Sequence, residues 1–188
     1  MVQDGSLLES SCPFITEKLG EMEIESIQPY EMLSALPESA RKRFYDMAGF
    51  DDEFAALFDA SPKKNLVIIG TSHGSEESAR QQRDYVARIV EQYGEGYDIF
   101  FKPHPADTSS AGYEIEFPGL TLLPGQMPFE IFVWALIDRV DMIGGYPSTV
   151  FLTVPLDKVR FIFAANAESM ARPLNILFRD ATDVEWMQ

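Results

Sequence analysis

Two kinds of hydrophobic pattern follow one another along the chain. Residues 1–35 mix short apolar pieces with Gly, Ser and Pro and show no sustained period, which predicts an irregular arm. Residues 37–50 carry apolar side chains at helical spacing, and a second short helix is predicted over residues 51–60. We therefore expect residues 1–62 to form an N-terminal arm and a helical linker, and residues 63–188 to form the main domain.

Beyond this linker, short apolar strands alternate with helices. Strands are predicted at residues 65–70, 97–102, 120–123, 139–143 and 159–164. Helices are predicted between them, at residues 75–94, 128–136 and 147–154. Continuous apolar strands separated by helices are typical of a parallel sheet that is covered on both faces. The predicted fold class is α/β, a Rossmann-like parallel sheet with flanking helices. Residues 166–188 are expected to close it, with Trp186 and Met187 as apolar anchors.

The composition fits a globular domain of ordinary size. The chain has 188 residues, of which 46% are hydrophobic and 24% are charged, enough to build one core without disulfide or metal support. Its formal net charge is −15, the opposite sign to the surface that a nucleic-acid backbone requires, so we expect no nucleic acid partner. A small anionic ligand is compatible with that charge, because backbone N–H groups can create a local binding site.

Cysteine and histidine are too scarce for a disulfide framework or a structural zinc site. Cys12 is the single cysteine, and His73 and His104 are the two histidines, so we expect no metal ion. The sequence begins without a basic stretch followed by an apolar one, and no window approaches the roughly 18 apolar residues of a membrane-spanning helix. We therefore expect a cytoplasmic protein with no transmembrane segment.

A ligand is expected next to the residues that follow the predicted strands, since open parallel sheets bind ligands outside the carboxyl ends of their strands. Ser148 and Thr149 follow one strand at a predicted helix start, where hydroxyl and backbone N–H groups can bind a phosphate. Ordinary N-capping by Ser148 explains the same pattern. Glu130, near the start of another predicted helix, suits either capping or binding of a ribose diol.

A rigid histidine turn follows the second predicted strand. His104 lies between Pro103 and Pro105, which restrict the backbone, and its imidazole can act as a general acid near neutral pH. A structural histidine in a tight turn is the alternative. Lys102, directly before the turn, is also compatible with a solvated strand end. His73 lies in a loop next to a glycine and is expected to be exposed and inert.

Three common site motifs are missing from the sequence. No G-x-G-x-x-G motif follows a strand, there is no Walker loop, and the Gly-x-Ser arrangement lacks the spacing of a nucleophile elbow. These observations disfavour nicotinamide-dependent, ATP-dependent and serine-hydrolase chemistry.

Four short segments, taken in order, resemble a known family. They are Gly70-Thr71-Ser72, Phe101-Lys102-Pro103-His104-Pro105, Met127-Pro128-Phe129-Glu130 and Gly144-Gly145-Tyr146-Pro147-Ser148-Thr149-Val150-Phe151. Their order and spacing resemble the nucleotide-binding half of the bacterial sialyltransferases of glycosyltransferase family 80, which have a two-domain GT-B fold. The likeness begins near Tyr30 and continues to the C-terminus, and residues 33–58 resemble the family's helical link into this half.

The resemblance implies a role for each matched polar residue. It implies that His104 is the general acid that assists departure of the CMP phosphate, and that Lys102 contacts the cytosine region. Glu130 would bind the CMP ribose, while Ser148 and Thr149 would bind the phosphate. Three further residues would complete the nucleotide-binding site: Gly70, Thr71 and Pro103.

Two features depart from the family pattern. The family usually has glycine between the lysine and the histidine, whereas Pro103 removes a backbone N–H group that could have bound the base. The family's catalytic base is an aspartate of an Asp-Asp-Gly motif in the N-terminal domain, which we expect to be mostly absent from this chain. Asp4, in Gln3-Asp4-Gly5, superficially resembles that motif and is the candidate base, although it lies closer to the linker than the family layout requires.

The expected function is that of a sialyltransferase-like protein that binds CMP-sialic acid. Completed by an acceptor domain, of which residues 1–62 would be a remnant, it would transfer sialic acid to a glycan hydroxyl with inversion and without a cofactor. By itself the chain is expected to be an incomplete enzyme. The partners implied are CMP or CMP-sialic acid, a glycan acceptor, and either a separate acceptor domain or a second copy of the chain.

Two alternatives to this function stay open. One is a catalytically silent nucleotide-binding or interaction module that keeps the fold. The other is a GT-B transferase that uses another nucleotide sugar, because a histidine turn and a hydroxyl phosphate site do not by themselves specify CMP.

Overall fold

Six parallel strands form one open sheet in the part of the chain that the structure describes. The computed structural model describes residues 29–48, 50 and 52–188. The strands are β1 (Lys64–Ile69), β2 (Tyr97–Lys102), β3 (Leu120–Leu122), β4 (Met142–Gly145), β5 (Val159–Ile162) and β6 (Glu185–Trp186). They lie in the order β3-β2-β1-β4-β5-β6, and all neighbouring pairs are parallel. The order reverses between β1 and β4, which is where doubly wound sheets form a ligand crevice.

Helices precede the sheet and connect its strands. The α-helices are α1 (Pro29–Ala35), α2 (Glu38–Met47), α3 (Asp52–Ala56), α4 (Glu76–Tyr93), α5 (Tyr113–Glu116), α6 (Phe129–Leu136) and α7 (Leu174–Leu177). Helix α4 begins after Ser75, whose Oγ accepts a hydrogen bond from the Ser78 N–H group, and it buries Tyr85, Val86 and Ile89 on one face. Within the described ranges, no helix combines the length and the apolar character that crossing a membrane requires.

The sheet is buried on both faces, which explains why its strands are continuously apolar. Along β1, Val67 and Ile69 pack into one hydrophobic cluster with α6. Leu66 and Ile68 point the other way and pack into a second cluster with α4. Because side chains alternate between the two faces of a strand, each face needs its own set of apolar residues.

The end of the linker packs into the core on the α6 side of the sheet. Phe58 is 3% exposed, and its ring stacks on Phe100 with the ring centroids 3.9 Å apart. Phe54 contacts Phe132 of α6, with ring centroids 5.5 Å apart. The linker therefore contributes side chains to the main core, and the domain boundary after residue 62 stays a prediction.

The predicted fold class is confirmed, but the fourth strand begins three residues later than the sequence indicates. It is Met142–Gly145 rather than residues 139–143. Arg139 belongs to a short 3-10 helix, and Gly144 and Gly145 pair with β1 in the sheet. Glycine is a weak strand former, so the sequence pattern did not indicate that the strand continues through both residues.

Two further elements differ from prediction. The helix predicted over residues 147–154 is only a four-residue 3-10 helix, Thr149–Leu152. The closing segment contributes a sixth strand, β6. This strand has only two residues, which is too few for a periodic pattern in the sequence. Met187, next to it, is buried and donates its N–H group to the Ile162 carbonyl oxygen.

Candidate functional site

A cavity of about 240 Å³ opens at the carboxyl edge of the sheet. Its walls are the ends of β1 and β2, the turn after β4 and the start of α6. Parallel strands end at the same edge, so residues far apart in the sequence meet there. The predicted site residues that line it are Gly70, Lys102, Pro103, His104, Glu130, Ser148 and Thr149.

Gly70 forms one wall of the cavity, where β1 ends. A Cβ atom at Gly70 would lie 2.6 Å from Cζ of the buried Phe101 ring, so a larger residue would displace that ring. Thr71, next to it, is not part of the lining. Its N–H group donates to Oε1 of Gln82 in α4 at 3.0 Å. Among the predicted nucleotide-binding residues, Thr71 is the one that the structure places outside the cavity.

Lys102 connects the turn after β2 to the segment that precedes α6. Its Nζ donates hydrogen bonds to the carbonyl oxygens of Pro103, at 3.0 Å, and of Gly125, at 2.9 Å. The side chain is 4% exposed, and it is not the solvated strand end that the sequence also allowed. Burial lowers the pKa of Lys102 to about 8, although the nearby Glu130 carboxylate opposes that shift. The ammonium group therefore helps to fix the positions of the Pro103 and Gly125 carbonyl groups.

This lowered pKa makes stability depend on pH in a defined direction. An unfolded lysine titrates near pH 10, so between about pH 8 and that value the unfolded chain binds a proton that the folded chain does not. The free energy of unfolding should therefore rise with pH across this window. In Lys102→Met this contribution is missing. The free energy of unfolding of the wild type should therefore rise relative to that of the variant between pH 7 and pH 10. Urea denaturation at each pH measures it, and a constant difference would contradict the burial of the charge.

The His104 turn is closed by two hydrogen bonds from the backbone. The Ala106 N–H group donates to Nδ1 of His104 at 3.1 Å, and the Asp107 N–H group donates to its carbonyl oxygen at 2.8 Å. A neutral ring whose Nδ1 accepts a hydrogen bond carries its proton on Nε2. His104 is exposed and lines the cavity together with the two prolines that flank it. The turn also borders a second cavity of about 380 Å³ on its other side.

The two hydroxyl residues lie on the turn that follows β4. Ser148 is the N-cap of the short 3-10 helix, and its Oγ accepts a hydrogen bond from the Val150 N–H group at 3.3 Å. N-capping, the simpler explanation of this serine, is thus formed in the structure. Both Ser148 and the exposed Thr149 also line the cavity, so a capping role and a ligand contact are compatible.

Glu130 lies in the first turn of α6 and also lines the cavity. The N-cap position of α6 is occupied by Pro128, which has no N–H group that could donate a hydrogen bond to a carboxylate. The reciprocal capping arrangement that the sequence allowed therefore cannot form. The carboxylate instead contributes negative charge near the Lys102 ammonium group, and its oxygens can accept hydrogen bonds from a ligand.

The prediction that His73 is exposed is wrong, whereas its inertness stays a prediction. This residue is half-buried, and its ring contacts Tyr146 with the ring centroids 6.0 Å apart. Neither ring nitrogen has a hydrogen-bond partner within the described part of the chain. Burial raises the pKa of Tyr146 well above its usual range, so this tyrosine stays neutral. Tyr146 directly follows β4, so this contact joins the loop after β1 to the turn that carries the two hydroxyl residues.

The sequence did not single out the residues that support the cavity from behind. Gln82 and Asp107 lie in α4 and in the loop after β2, and Gly125 provides the second carbonyl oxygen for Lys102. In the sequence, Gln82 is one of many polar residues in a long predicted helix, and nothing in the local pattern predicts that it is buried. Asp4, the candidate base, lies outside the residues that the structure describes.

The strand order and the position of this cavity define an α/β domain of the Rossmann type. The model of one protein family, described as Sialyltransferase PMO188, matches residues 42–182. The chain therefore belongs to this sialyltransferase family, which confirms the resemblance found in the sequence. A comparison with curated proteins gave no significant match.

Solved bacterial sialyltransferases have the same fold. One from Photobacterium damsela superposes with a TM-score of 0.70, is 23% identical, and is matched over 96% of this chain and 43% of its own length. The GT-B domain of a Photobacterium damselae sialyltransferase gives a TM-score of 0.67 at 22% identity, over 93% of this chain and 50% of that one. These matches confirm that the sheet corresponds to one half of a GT-B fold.

A third structure was solved with ligands. It is the 2,6-sialyltransferase of a Vibrionaceae Photobacterium species in a complex with CMP and lactose, with a TM-score of 0.63 and 19% identity over 84% of this chain. It is matched over 36% of its own length. The chain thus spans half or less of the length of each of these three structures.

Proposed function

We propose that the cavity at the carboxyl edge of the sheet binds the CMP portion of CMP-sialic acid. The observation that carries this proposal is the meeting of a histidine, a glutamate and two hydroxyl residues in one cavity of a sialyltransferase-family chain. Ser148 and Thr149 bind the phosphate, and Glu130 accepts hydrogen bonds from the ribose diol. The complex of the related 2,6-sialyltransferase with CMP supports this choice of nucleotide.

In the proposed reaction, the bond between the anomeric carbon of sialic acid and a phosphate oxygen breaks. The acceptor oxygen bonds to the anomeric carbon from the opposite face, which inverts its configuration. His104 donates a hydrogen bond or a proton from Nε2 to the departing phosphate, while the hydroxyl groups of Ser148 and Thr149 stabilise its charge. The proton of the acceptor hydroxyl passes to a base that we place outside the described residues.

The acceptor site and the base are proposed to belong to the other half of the GT-B fold. A site built between two domains needs both walls, and this chain spans half or less of the length of the related structures. A glycan acceptor is supported by the lactose in the 2,6-sialyltransferase complex. The chain is proposed to supply the wall that holds the donor nucleotide.

The role of Glu130 is tested with 2′-deoxy-CMP, which lacks one hydroxyl group of the ribose diol. The wild-type chain should bind CMP about tenfold more tightly than 2′-deoxy-CMP, because a charge-assisted hydrogen bond is lost. In Glu130→Gln the neutral amide oxygen accepts a weaker hydrogen bond, so this preference should fall to about threefold. Isothermal titration calorimetry measures both affinities.

Glu91→Gln is the matched control, since Glu91 lies on the exposed face of α4 and outside the cavity. It should keep the wild-type preference. If Glu130→Gln discriminates between the two nucleotides as strongly as wild type does, Glu130 does not bind the ribose.

A further inference from the structure

Gln82 is a fully buried amide that joins the loop after β1 to the loop after β2. It lies in α4 and is 0% exposed. Its Oε1 accepts a hydrogen bond from the Thr71 N–H group, in the loop after β1. Its Nε2 donates to Oδ2 of Asp107, in the loop after β2, and to the Tyr113 hydroxyl oxygen, both at 3.3 Å. Both ends of the amide are therefore used, each by a different loop.

Asp107 connects this amide to the His104 turn. Its Oδ1 accepts hydrogen bonds from the Ser109 N–H group at 2.8 Å and from the Ser109 hydroxyl at 2.6 Å. Burial raises the pKa of Asp107, but the hydrogen bonds from Ser109, Ser110 and Gln82 outweigh it and hold the pKa below its usual range. The ionised carboxylate can only accept, which fixes the orientation of the Gln82 amide with Nε2 towards it.

The backbone of Asp107 completes the turn that orients the imidazole. Its N–H group donates to the His104 carbonyl oxygen, and the preceding N–H group, of Ala106, donates to Nδ1 of His104. The His104 side chain is exposed, so packing does not fix it. Its orientation depends on where the peptide groups of residues 106 and 107 lie.

We propose that Gln82 and Asp107 are positioning residues for His104. The buried amide and the carboxylate hold the turn so that Nδ1 accepts from Ala106 and the proton of the neutral ring stays on Nε2. The use of that proton on a departing phosphate rests on the proposed function, whereas the position of the proton is a property of the chain alone.

Exchanging the two functional groups tests this pairing. In Asp107→Asn the amide oxygen is needed to accept from Ser109, so the introduced NH2 group faces Nε2 of Gln82. Rotating the Gln82 amide would only move the mismatch to the Thr71 N–H group. In Gln82→Glu two carboxylates face each other. In the double variant, Gln82→Glu with Asp107→Asn, the introduced carboxylate still accepts from Thr71 and also accepts from the introduced amide. Each single variant should therefore disturb the turn, and the double variant should restore it.

Nitrogen-15 NMR of the imidazole rings reads out the result, because the sequence has two histidines. The His104→Ala variant assigns the signals of the two rings. At a pH where the ring is neutral, His104 should carry its proton on Nε2 in the wild type and in the double variant. Both single variants should show a mixture of the two tautomers at His104.

A wild-type His104 with its proton mainly on Nδ1 overturns the proposal without any variant. Single variants that keep the wild-type tautomer, or a double variant that does not regain it, overturn it as well. Calorimetry with CMP separates this proposal from the proposed function: affinity should fall about tenfold in each single variant and return in the double variant. If CMP does not bind to the wild type while the tautomers behave as described, the proposed function fails and the positioning role stands.

Discussion

Replacing both hydroxyl residues of the cavity, with Ser148→Ala and Thr149→Ala in one variant, is expected to weaken CMP binding roughly 100-fold. In the proposed site each hydroxyl group would donate a charge-assisted hydrogen bond to the phosphate, and losing two such bonds costs about 3 kcal/mol. Isothermal titration calorimetry of the two proteins measures the change. Because Ser148 also caps the short helix, a thermal unfolding curve accompanies each titration and shows that the variant is folded.

The matched control replaces two exposed hydroxyl residues near the same edge of the sheet, with Ser72→Ala and Thr108→Ala. Neither residue lines the cavity, so CMP affinity should stay within about twofold of wild type. If the Ser148 and Thr149 double variant bound CMP as tightly as wild type, the phosphate would not bind at this turn. Ser148 would then have its capping role alone.

Gly145→Ala is expected to destabilise the fold by about 4 kcal/mol or more. Gly145 has φ of 130°, a region that residues with a Cβ atom rarely adopt. An added Cβ would also overlap the Ile69 carbonyl oxygen and would lie 2.6 Å from the Ile69 nitrogen, which are backbone atoms of β1. Moving β4 away from β1 would also strain the hydrogen bond that the Gly145 carbonyl oxygen accepts from the Phe163 N–H group. Urea denaturation measures the loss.

Gly74→Ala provides the control for this change, since no atom lies within 4 Å of the Cβ that it would add. Its free energy of unfolding should stay within about 0.5 kcal/mol of wild type. If Gly145→Ala were equally mild, β4 could not lie against β1 as described, and the turn with Ser148 and Thr149 would have a different position.

The strands of the sheet centre were predictable because each is an apolar run between turn residues. The residues 97–102 predicted for the second strand are those of β2, since that strand ends at a proline. The fourth strand was placed too early because its register depends on close contacts of two glycines with neighbouring strands, which no local pattern encodes.

The cavity residues were predictable by a different route. The rule that ligands bind at the carboxyl ends of parallel strands selects residues by their place in the chain, and it selected His104, Ser148 and Thr149 correctly as neighbours. It could not predict that the Lys102 ammonium points to two carbonyl oxygens, or that Gln82 is buried behind the site. Both facts depend on contacts between segments that are distant in sequence.

The most direct test of the account is calorimetric titration of the purified chain with CMP, with UDP and GDP as comparison ligands. We expect CMP to bind to one site per chain, more tightly than either of the other nucleotides. Preferential binding of UDP or GDP would instead support a transferase that uses another nucleotide sugar. No binding of CMP by a chain whose unfolding curve shows it to be folded would contradict the central claim that this cavity is a CMP site.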